Sequence, residues 1–429
     1  MLKKQKLRYI CIIVVISLFI ASVQPIKSII NSRALNTVIS NNFHTDEEYD
    51  SILQNTTEKI FDVTVYGALG DDKTDDGKCI QNAFDACNSA GGGIVYFPDG
   101  VYCISKTVFY YGNQKIIFSD NAILKRIENS EDNKFTVGVF LCNWFLDSDT
   151  SAETSKIACE NVEIVGGTFD ANGAVPKKEP HNVAMINTCH VNNIYIHDCK
   201  FINNYNAHCI EINSSENVEI SNCSFSDYKG SENDSKYNEM VQIDKSVNQA
   251  LGSYIYKEYR TIEGYYNQTN IDNENPDCKG SGNINIHDCI FVTNKYCSAI
   301  GNHHKSDFTT INNGIKIYNC SFYGTTTNRG YIVFDEYTEN IEIYDNTFSG
   351  GKCGVSSNRV NGKCLIFGNE FENCDIAYRG VYVAFENKID GKTDAENIQN
   401  ASVGNTTVVI DNDNFFYNLL KKIKGTFLF

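Results

Sequence analysis

The sequence predicts an all-β protein wound as a parallel β-helix solenoid, and three observations predict it. The first is a short pattern that returns along the chain: Ile, two residues, a Cys, Asn or Gly slot, one residue, Phe. It reads Ile164-Val-Gly-Gly167-Thr-Phe169, Ile196-His-Asp-Cys199-Lys-Phe201, Ile220-Ser-Asn-Cys223-Ser-Phe225 and Ile286-His-Asp-Cys289-Ile-Phe291. It continues as Ile317-Tyr-Asn-Cys320-Ser-Phe322, Ile343-Tyr-Asp-Asn346-Thr-Phe348 and Ile366-Phe-Gly-Asn369-Glu-Phe371. The starts lie 32, 24, 66, 31, 26 and 23 residues apart. Self-similarity at a period in the twenties marks stacked structural repeats. The second observation is period-2 alternation before each slot, as in Asn217-Val-Glu-Ile220 and Asn340-Ile-Glu-Ile343, which puts Val218 and Ile220 inside and Glu219 outside. The third is composition: 25 Tyr and 25 Phe against 5 Pro, 3 Met and 1 Trp, a β-rich inventory with Asn-rich turns. No helical pattern separates the strands, which excludes a leucine-rich horseshoe.

Taken in chain order, residues 1–28 read as a signal peptide or membrane anchor. Lys3, Lys4, Lys6 and Arg8 precede an almost wholly apolar run from Ile10 to Ala21, short for a membrane span. Either the segment is removed on export or residues 10–23 stay attached to the membrane. Residues 29–58 are polar and aperiodic, as a linker is. Residues 59–410 form the solenoid. Thr74-Asp-Asp opens a helix on which Ile80, Ala83, Phe84 and Cys87 share one face, and Gly91-Gly-Gly93 ends it. That helix is the natural cap for the N-terminal end, because an open solenoid exposes its core and strand edges. Residues 229–282 hold one strand and an insertion rich in tyrosine (Tyr254, Tyr256, Tyr259, Tyr265 and Tyr266). At 411–429, Phe415, Phe416, Leu419, Leu420 and Ile423 beside Lys421, Lys422 and Lys424 read as a C-terminal cap or an amphipathic helix on a membrane surface.

The chain has 429 residues and a net charge of −16, which argues against nucleic acid as a main partner. Its 17 cysteines first suggest a disulfide framework in an exported protein. Several fall in the repeat slot, where Asn and Gly replace them freely. They read as free thiols in a ladder, and the six repeat phenylalanines from Phe201 to Phe371 read as a second ladder inside.

Further residues carry a resemblance. Phe61-Asp-Val, Tyr66-Gly-Ala68, Gly70-Asp-Asp-Lys-Thr-Asp-Asp76, Ile80-Gln-Asn-Ala83, Gly91-Gly-Gly-Ile-Val-Tyr-Phe-Pro-Asp-Gly100 and Gly166-Gly-Thr-Phe-Asp-Ala-Asn-Gly173 resemble the pectate-lyase-like right-handed parallel β-helix superfamily, in its rhamnogalacturonase and epimerase-like branch. The resemblance covers about residues 59–390 and implies a right-handed coil. It leaves the reaction open, since lyases, hydrolases, epimerases and phage tailspikes share the fold. The Asn-Thr-Asp, Asp-Asp, Gly-His-Gly and Arg-Ile-Lys motifs of polygalacturonases are missing from the repeats, so that mechanism is not carried over.

The candidate site comes from aligning the strand after each Phe turn: His208–Asn213, Glu239–Asp244, Ser298–His303, Gly330–Asp335 and Cys353–Asn358. Ile210, Ile212, Val241 and Ile243 point in, and Glu211, Asn213, Gln242 and Asp244 point out. The last column reads Asn213, Asp244, His303, Asp335, Asn358. With coils about 4.8 Å apart, Asp244 and Asp335 lie about 9.6 Å apart, near the separation that leaves room for a water in inverting glycosidases. The row also suits proton abstraction beside a uronate carboxyl, with His303 as base. His208 and Glu239 form a second acid–base column or a rim of the same cleft. Glu211, Gln242, His304, Lys305 and Arg329 are the substrate-binding candidates; His304 and Lys305 make a cationic spot suited to an acidic sugar. His197 and His287 belong to the repeat itself and read as structural, and His181 and His190 carry no constellation. No metal motif is present, although calcium between Asp244 and Asp335 stays open given other oxygen donors.

Two function classes remain. One is an exported enzyme, a lyase or glycoside hydrolase acting on an acidic polysaccharide, with epimerisation as a further alternative. The other is a non-catalytic surface solenoid that binds glycans. Both place the chain outside the cell or in its envelope, with a polysaccharide as partner.

Overall fold

The computed structural model describes residues 56–105, 107–127, 139–143, 159–173, 184–230, 238–245, 280–302, 311–335, 338–360 and 363–393. The expected signal or anchor (1–28), most of the linker, the segment 411–429, the five tyrosines of the insertion, His181, and the site candidates His303, His304 and Lys305 lie outside the described residues.

The strands wind into three sheets of 11, 12 and 9 strands. Each coil visits them in the same order. Val191–His197 lies in the first sheet, Lys200–Ile202 in the second and Ile210–Asn213 in the third, and Glu216–Ser221 returns to the first. Neighbouring rungs pair in parallel; the exception is the final pair, Lys388–Ile389 with Lys392–Thr393, which is antiparallel. The β-helix expected from the repeat is therefore present.

The repeat pattern has a local physical meaning. The residue before the slot turns the chain sharply out of the first sheet with a left-handed φ: Asp198 at 58°, Asn222 at 50°, Asp288 at 53°, Asn319 at 52°, Asp345 at 55° and Gly368 at 67°. Asp, Asn and Gly are the residues that tolerate this region. The slot residue then donates to a carbonyl of the coil below. Asn346 Nδ2 reaches Ile317 O at 2.9 Å and Asn369 Nδ2 reaches Ile343 O at 2.9 Å. Cys320 Sγ faces the equivalent carbonyl of Ile286 at 3.7 Å, and Cys289 Sγ that of Ile220 at 3.7 Å. Cys and Asn are interchangeable because both are small and both carry a donor in the same place. Fourteen cysteines among the described residues, from Cys79 to Cys374, are free thiols.

The phenylalanines stack as a ladder inside. From Phe169 through Phe201, Phe225, Phe291, Phe322 and Phe348 to Phe371, consecutive centroids lie 5.1, 4.9, 4.5, 5.1, 4.6 and 4.7 Å apart. Each ring is fully buried, which stabilises the solenoid by about 1.5–3 kcal/mol per side chain. Phe225 and Phe291 are direct neighbours, so the 66-residue interval spans a single coil. Within 229–282, Glu239–Asp244 is that coil's own strand in the third sheet.

The helix runs Gly77–Ser89 and buries Ile80, Ala83, Phe84 and Cys87, as the periodicity predicts. Its start differs from expectation. Thr74 lies in the strand Asp71–Asp75, and Asp76 is the residue at the N-cap. The Asp76 carboxylate does not cap the helix; it accepts from the backbone N–H groups of Leu69 and Gly70 at 2.7 and 3.1 Å. Those two bonds close the loop that precedes the helix.

Candidate functional site

The outer face of the third sheet differs from that of the first. First-sheet strands such as Val191–His197 alternate buried and half-exposed positions, as a solvated face requires. In the third sheet every residue of Ala184–Cys189, Glu239–Asp244 and Ser298–Asn302 is buried. Polar side chains at the outward positions are covered: Asn187 at 0 % exposure, Asn213 at 1 %, Gln242 and Asp244 at 2 %. Burying polar groups costs free energy unless partners satisfy them, so this covered polar face makes the third sheet the candidate site.

Strand register orders that face. Asn187, Glu211, Gln242, Gly301, Val333, Ser356 and Arg379 form one column, and Cys189, Asn213 and Asp244 a second. Asn187 Nδ2 donates to Glu211 Oε2 at 2.5 Å, and Gln242 Nε2 donates to Asp244 Oδ2 at 2.8 Å. Asp244 and Gln242, expected to point outward, are buried hydrogen-bonding groups on that face.

Arg329 is the hub. Its Nη1 donates to Glu239 Oε1, its Nε to Asp335 Oδ2 at 2.9 Å, and its Nη2 to the carbonyl of Asn302 at 3.1 Å. Burial alone pulls the guanidinium pKa down; the two carboxylates outweigh it and leave it above the ordinary value. Arg329, expected as a substrate-binding cation, is thus engaged inside the protein. Glu239, wholly buried, is one of the carboxylates it neutralises. Asp335 keeps more contact with solvent and also accepts from Asn358 Nδ2 at 2.9 Å. His208 joins Glu239, as its column predicts, but through the backbone: Nδ1 lies 2.7 Å from the Glu239 carbonyl and 3.8 Å from its Oε2. A carbonyl only accepts, so that ring nitrogen carries the proton.

Three contributors escaped sequence reasoning. Gly301 stands where the column carries Glu211 and Gln242. A Cβ there would lie 2.3 Å from Val333 O and 3.2 Å from Glu239 Cγ, so its missing side chain is the space Glu239 crosses. Arg379 donates from Nε to Ser356 Oγ at 3.0 Å and from Nη2 to the carbonyls of Asn328 and Arg329 at 2.9 and 3.0 Å, which holds the turn bearing Arg329. Asn302 accepts from the Asp335 N–H at 3.0 Å. The glycine in an otherwise polar column was the available signal; the two bonds of Arg379 to a distant turn had none.

His197 and His287 have the structural setting expected of them. Each imidazole bridges the following aspartate and a glutamate of the coil below: His197 to Asp198 at 2.6 Å and Glu163 at 3.0 Å, His287 to Asp288 at 2.7 Å and Glu219 at 3.1 Å. His190 is buried at φ 52°, and burial pushes its pKa down to about 4. No group of three or more His, Cys, Asp or Glu side chains with metal-binding placement occurs among the described residues.

With parallel sheets, short left-handed turns and the inward aromatic stack established, comparison with known proteins is informative. Residues 60–117 match the family described as Rhamnogalacturonase A/epimerase, pectate lyase-like. The chain carries a pectate lyase-like right-handed β-helix. The plasmin and fibronectin-binding protein A of Streptococcus pneumoniae is 28% identical over 319 residues, covering 68% of this chain. The chain spans 40% of the length of that relative. The crystal structure of PfbA, a surface adhesin of Streptococcus pneumoniae, superposes with a TM-score of 0.54 at 21% identity over 77% of each chain. A probable rhamnogalacturonase E of Aspergillus oryzae is 45% identical over 58 residues, 14% of this β-helix chain and 13% of its own length. Among the described residues no helix is long and apolar enough to cross a membrane.

Proposed function

We propose that this β-helix is an exported, polysaccharide-active protein whose glycan lies across the outer face of the third sheet. The observation that carries the reading is the covered row of polar side chains there, against half-exposed outward positions on the first sheet. Glycans present hydroxyls in pairs, and buried carboxylates and amides on a rigid strand are suited to receive them.

On this reading Asp244 and Asp335 act on the glycosidic bond. The register sets Gln242 and Val333 two coils apart, and about 4.8 Å per coil gives about 9.6 Å between Asp244 and Asp335, close to the spacing of an inverting pair. Arg329 and Asn358 orient Asp335. His303, next in sequence after Asn302, is the candidate proton carrier. Elimination at a uronate uses the same groups with His303 as base.

A second reading has its own observation. Arg329 neutralises both Glu239 and Asp335, and a carboxylate held in such a fork serves binding geometry better than proton transfer. The chain is then a surface solenoid that retains glycans, in keeping with its similarity to an adhesin.

The test is incubation of the purified protein with uronate and neutral polysaccharides. Ultraviolet absorbance from an unsaturated product identifies a lyase, and new reducing ends without it a hydrolase. Retention without product identifies the binding solenoid, and neither retention nor product rejects both.

A further inference from the structure

The charge and hydrogen-bond inventory of the third-sheet face points to one ligand class, an inference that rests on the proposed site. Glu211, Glu239 and Asp244 on third-sheet strands and Asp335, just past the strand Ile332–Phe334, are four carboxylates set against the guanidinium groups of Arg329 and Arg379. Both arginines are engaged internally. Arg329 is forked between Glu239 and Asp335 and bonded to the Asn302 carbonyl, and Arg379 is bonded to Ser356 Oγ and two turn carbonyls. Recognition of a sugar carboxylate calls for paired guanidinium donors aimed at the ligand. Among the described residues this face aims them at protein oxygens.

A second observation is independent of charge. Asn213 Nδ2 and Asn187 Oδ1 are buried and have no hydrogen-bond partner among the described residues. Asn213 is 1 % exposed and Asn187 0 % exposed. They lie in the two neighbouring columns of the covered face, one an unmatched donor and the other an unmatched acceptor. A buried polar atom without a partner costs stability in the free protein. It is satisfied by a group that both donates and accepts, as a sugar hydroxyl does.

We infer that the third-sheet face takes a neutral, hydroxyl-bearing glycan rather than a uronate polymer, and that Asn187 and Asn213 are two of its hydroxyl-binding groups. The Glu211 and Asp244 carboxylates, already oriented by Asn187 and Gln242, supply further acceptors for hydroxyl donors. Because recognition runs through hydroxyls and not through ion pairing, affinity should vary little with ionic strength.

The experiment is calorimetric titration of the full chain with neutral oligosaccharides (β-glucan, galactan and mannan fragments), with oligogalacturonate and alginate fragments, and with glucosamine oligomers, at low and high salt. Binding of a neutral fragment, unchanged within about twofold by salt, supports the inference. A preference for a uronate, or for glucosamine oligomers with steep salt dependence, overturns it while leaving the polysaccharide site intact. Binding of no glycan overturns the site along with the inference. Asn213→Ala separates a ligand role from a structural one. Removing an unmatched buried donor should leave the melting temperature of the free protein unchanged or higher, while weakening the neutral glycan roughly five- to tenfold. A lower melting temperature with unchanged affinity overturns the assignment of Asn213.

Discussion

Arg329 and Glu239 lie 90 residues apart in sequence and form an ion pair on the outer face of the third sheet, Nη1 on Oε1. Glu239 is fully buried, so the pair cannot be judged as a surface salt bridge. Removing the guanidinium strands a buried carboxylate, whereas replacing both partners by apolar groups need not.

Arg329→Ala should therefore lower stability by about 3–5 kcal/mol, while Arg329→Leu combined with Glu239→Leu should recover much of the loss. Thermal and urea unfolding of the single and double variants measures this. A single variant as stable as the parent would mean that Glu239 is not buried as an ion.

Gly301→Ala tests the space beside that pair. The added methyl would meet Val333 O at 2.3 Å and Glu239 Cγ at 3.2 Å, so either the strand shifts or Glu239 leaves its place. A cost of about 1–3 kcal/mol is expected from overpacking, together with weakened polysaccharide binding. By contrast, Phe291→Ala in the interior stack should cost about 3–5 kcal/mol and leave the chemistry of that face untouched in whatever protein remains folded. Circular dichroism melts and binding of both variants separate the two effects.

The Asn ladder gives a third expectation. Asn369 Oδ1 accepts from the backbone N–H of Asn346 at 3.0 Å, and its Nδ2 donates to the Ile343 carbonyl at 2.9 Å. Asn369→Ala leaves a buried N–H and a buried carbonyl without partners, at about 1–3 kcal/mol for each such group. Asn369→Cys should be milder, because the thiol keeps the donor, as Cys320 does toward Ile286. Unfolding midpoints of the two variants rank them; equal losses would mean the slot is selected for size alone.

The pH dependence follows from the two histidine clamps. Burial lowers both imidazole pKa values, and the flanking carboxylates outweigh it, so His197 and His287 titrate above the ordinary 6.5. A raised folded pKa means the clamps contribute fully below about pH 6.5 and lose that contribution as pH rises through the folded value. Glu219 and Asp288 are about half exposed (side chains 45% and 52%), so solvent screening weakens the His287 clamp relative to His197, whose Asp198 partner is buried. The stability difference between wild type and His197→Gln should shrink between about pH 6 and pH 9, with a smaller change for His287→Gln. A difference constant across that range would remove protonated His197 from the account of stability.

The coil was legible in the sequence because every rung repeats the same local problem. One left-handed residue, one small donor and one inward Phe per coil set the register, and the outward columns follow from it; Asn213 does pair with Asp244. The state of the site was not legible. Arg329 lies in a turn between rungs, Arg379 reaches that turn from two coils away along the sheet, and neither belongs to a repeating slot. Period-2 alternation sorts residues into inward and outward, but it cannot tell an outward residue in solvent from one under cover. Hence the outward positions of Gln242 and Asp244 were legible and their burial was not.

Product release by Asp244→Asn is the most direct measurement of whether the third-sheet face cleaves glycans. The substitution keeps the shape of a buried side chain and removes its charge. If Asp244 takes part in proton transfer, the variant should lose about a hundredfold or more in rate, while keeping its melting temperature and its affinity for the same polysaccharide. A variant that releases product as fast as the parent, or a parent that retains polysaccharide and never cleaves it, would contradict catalysis at this face.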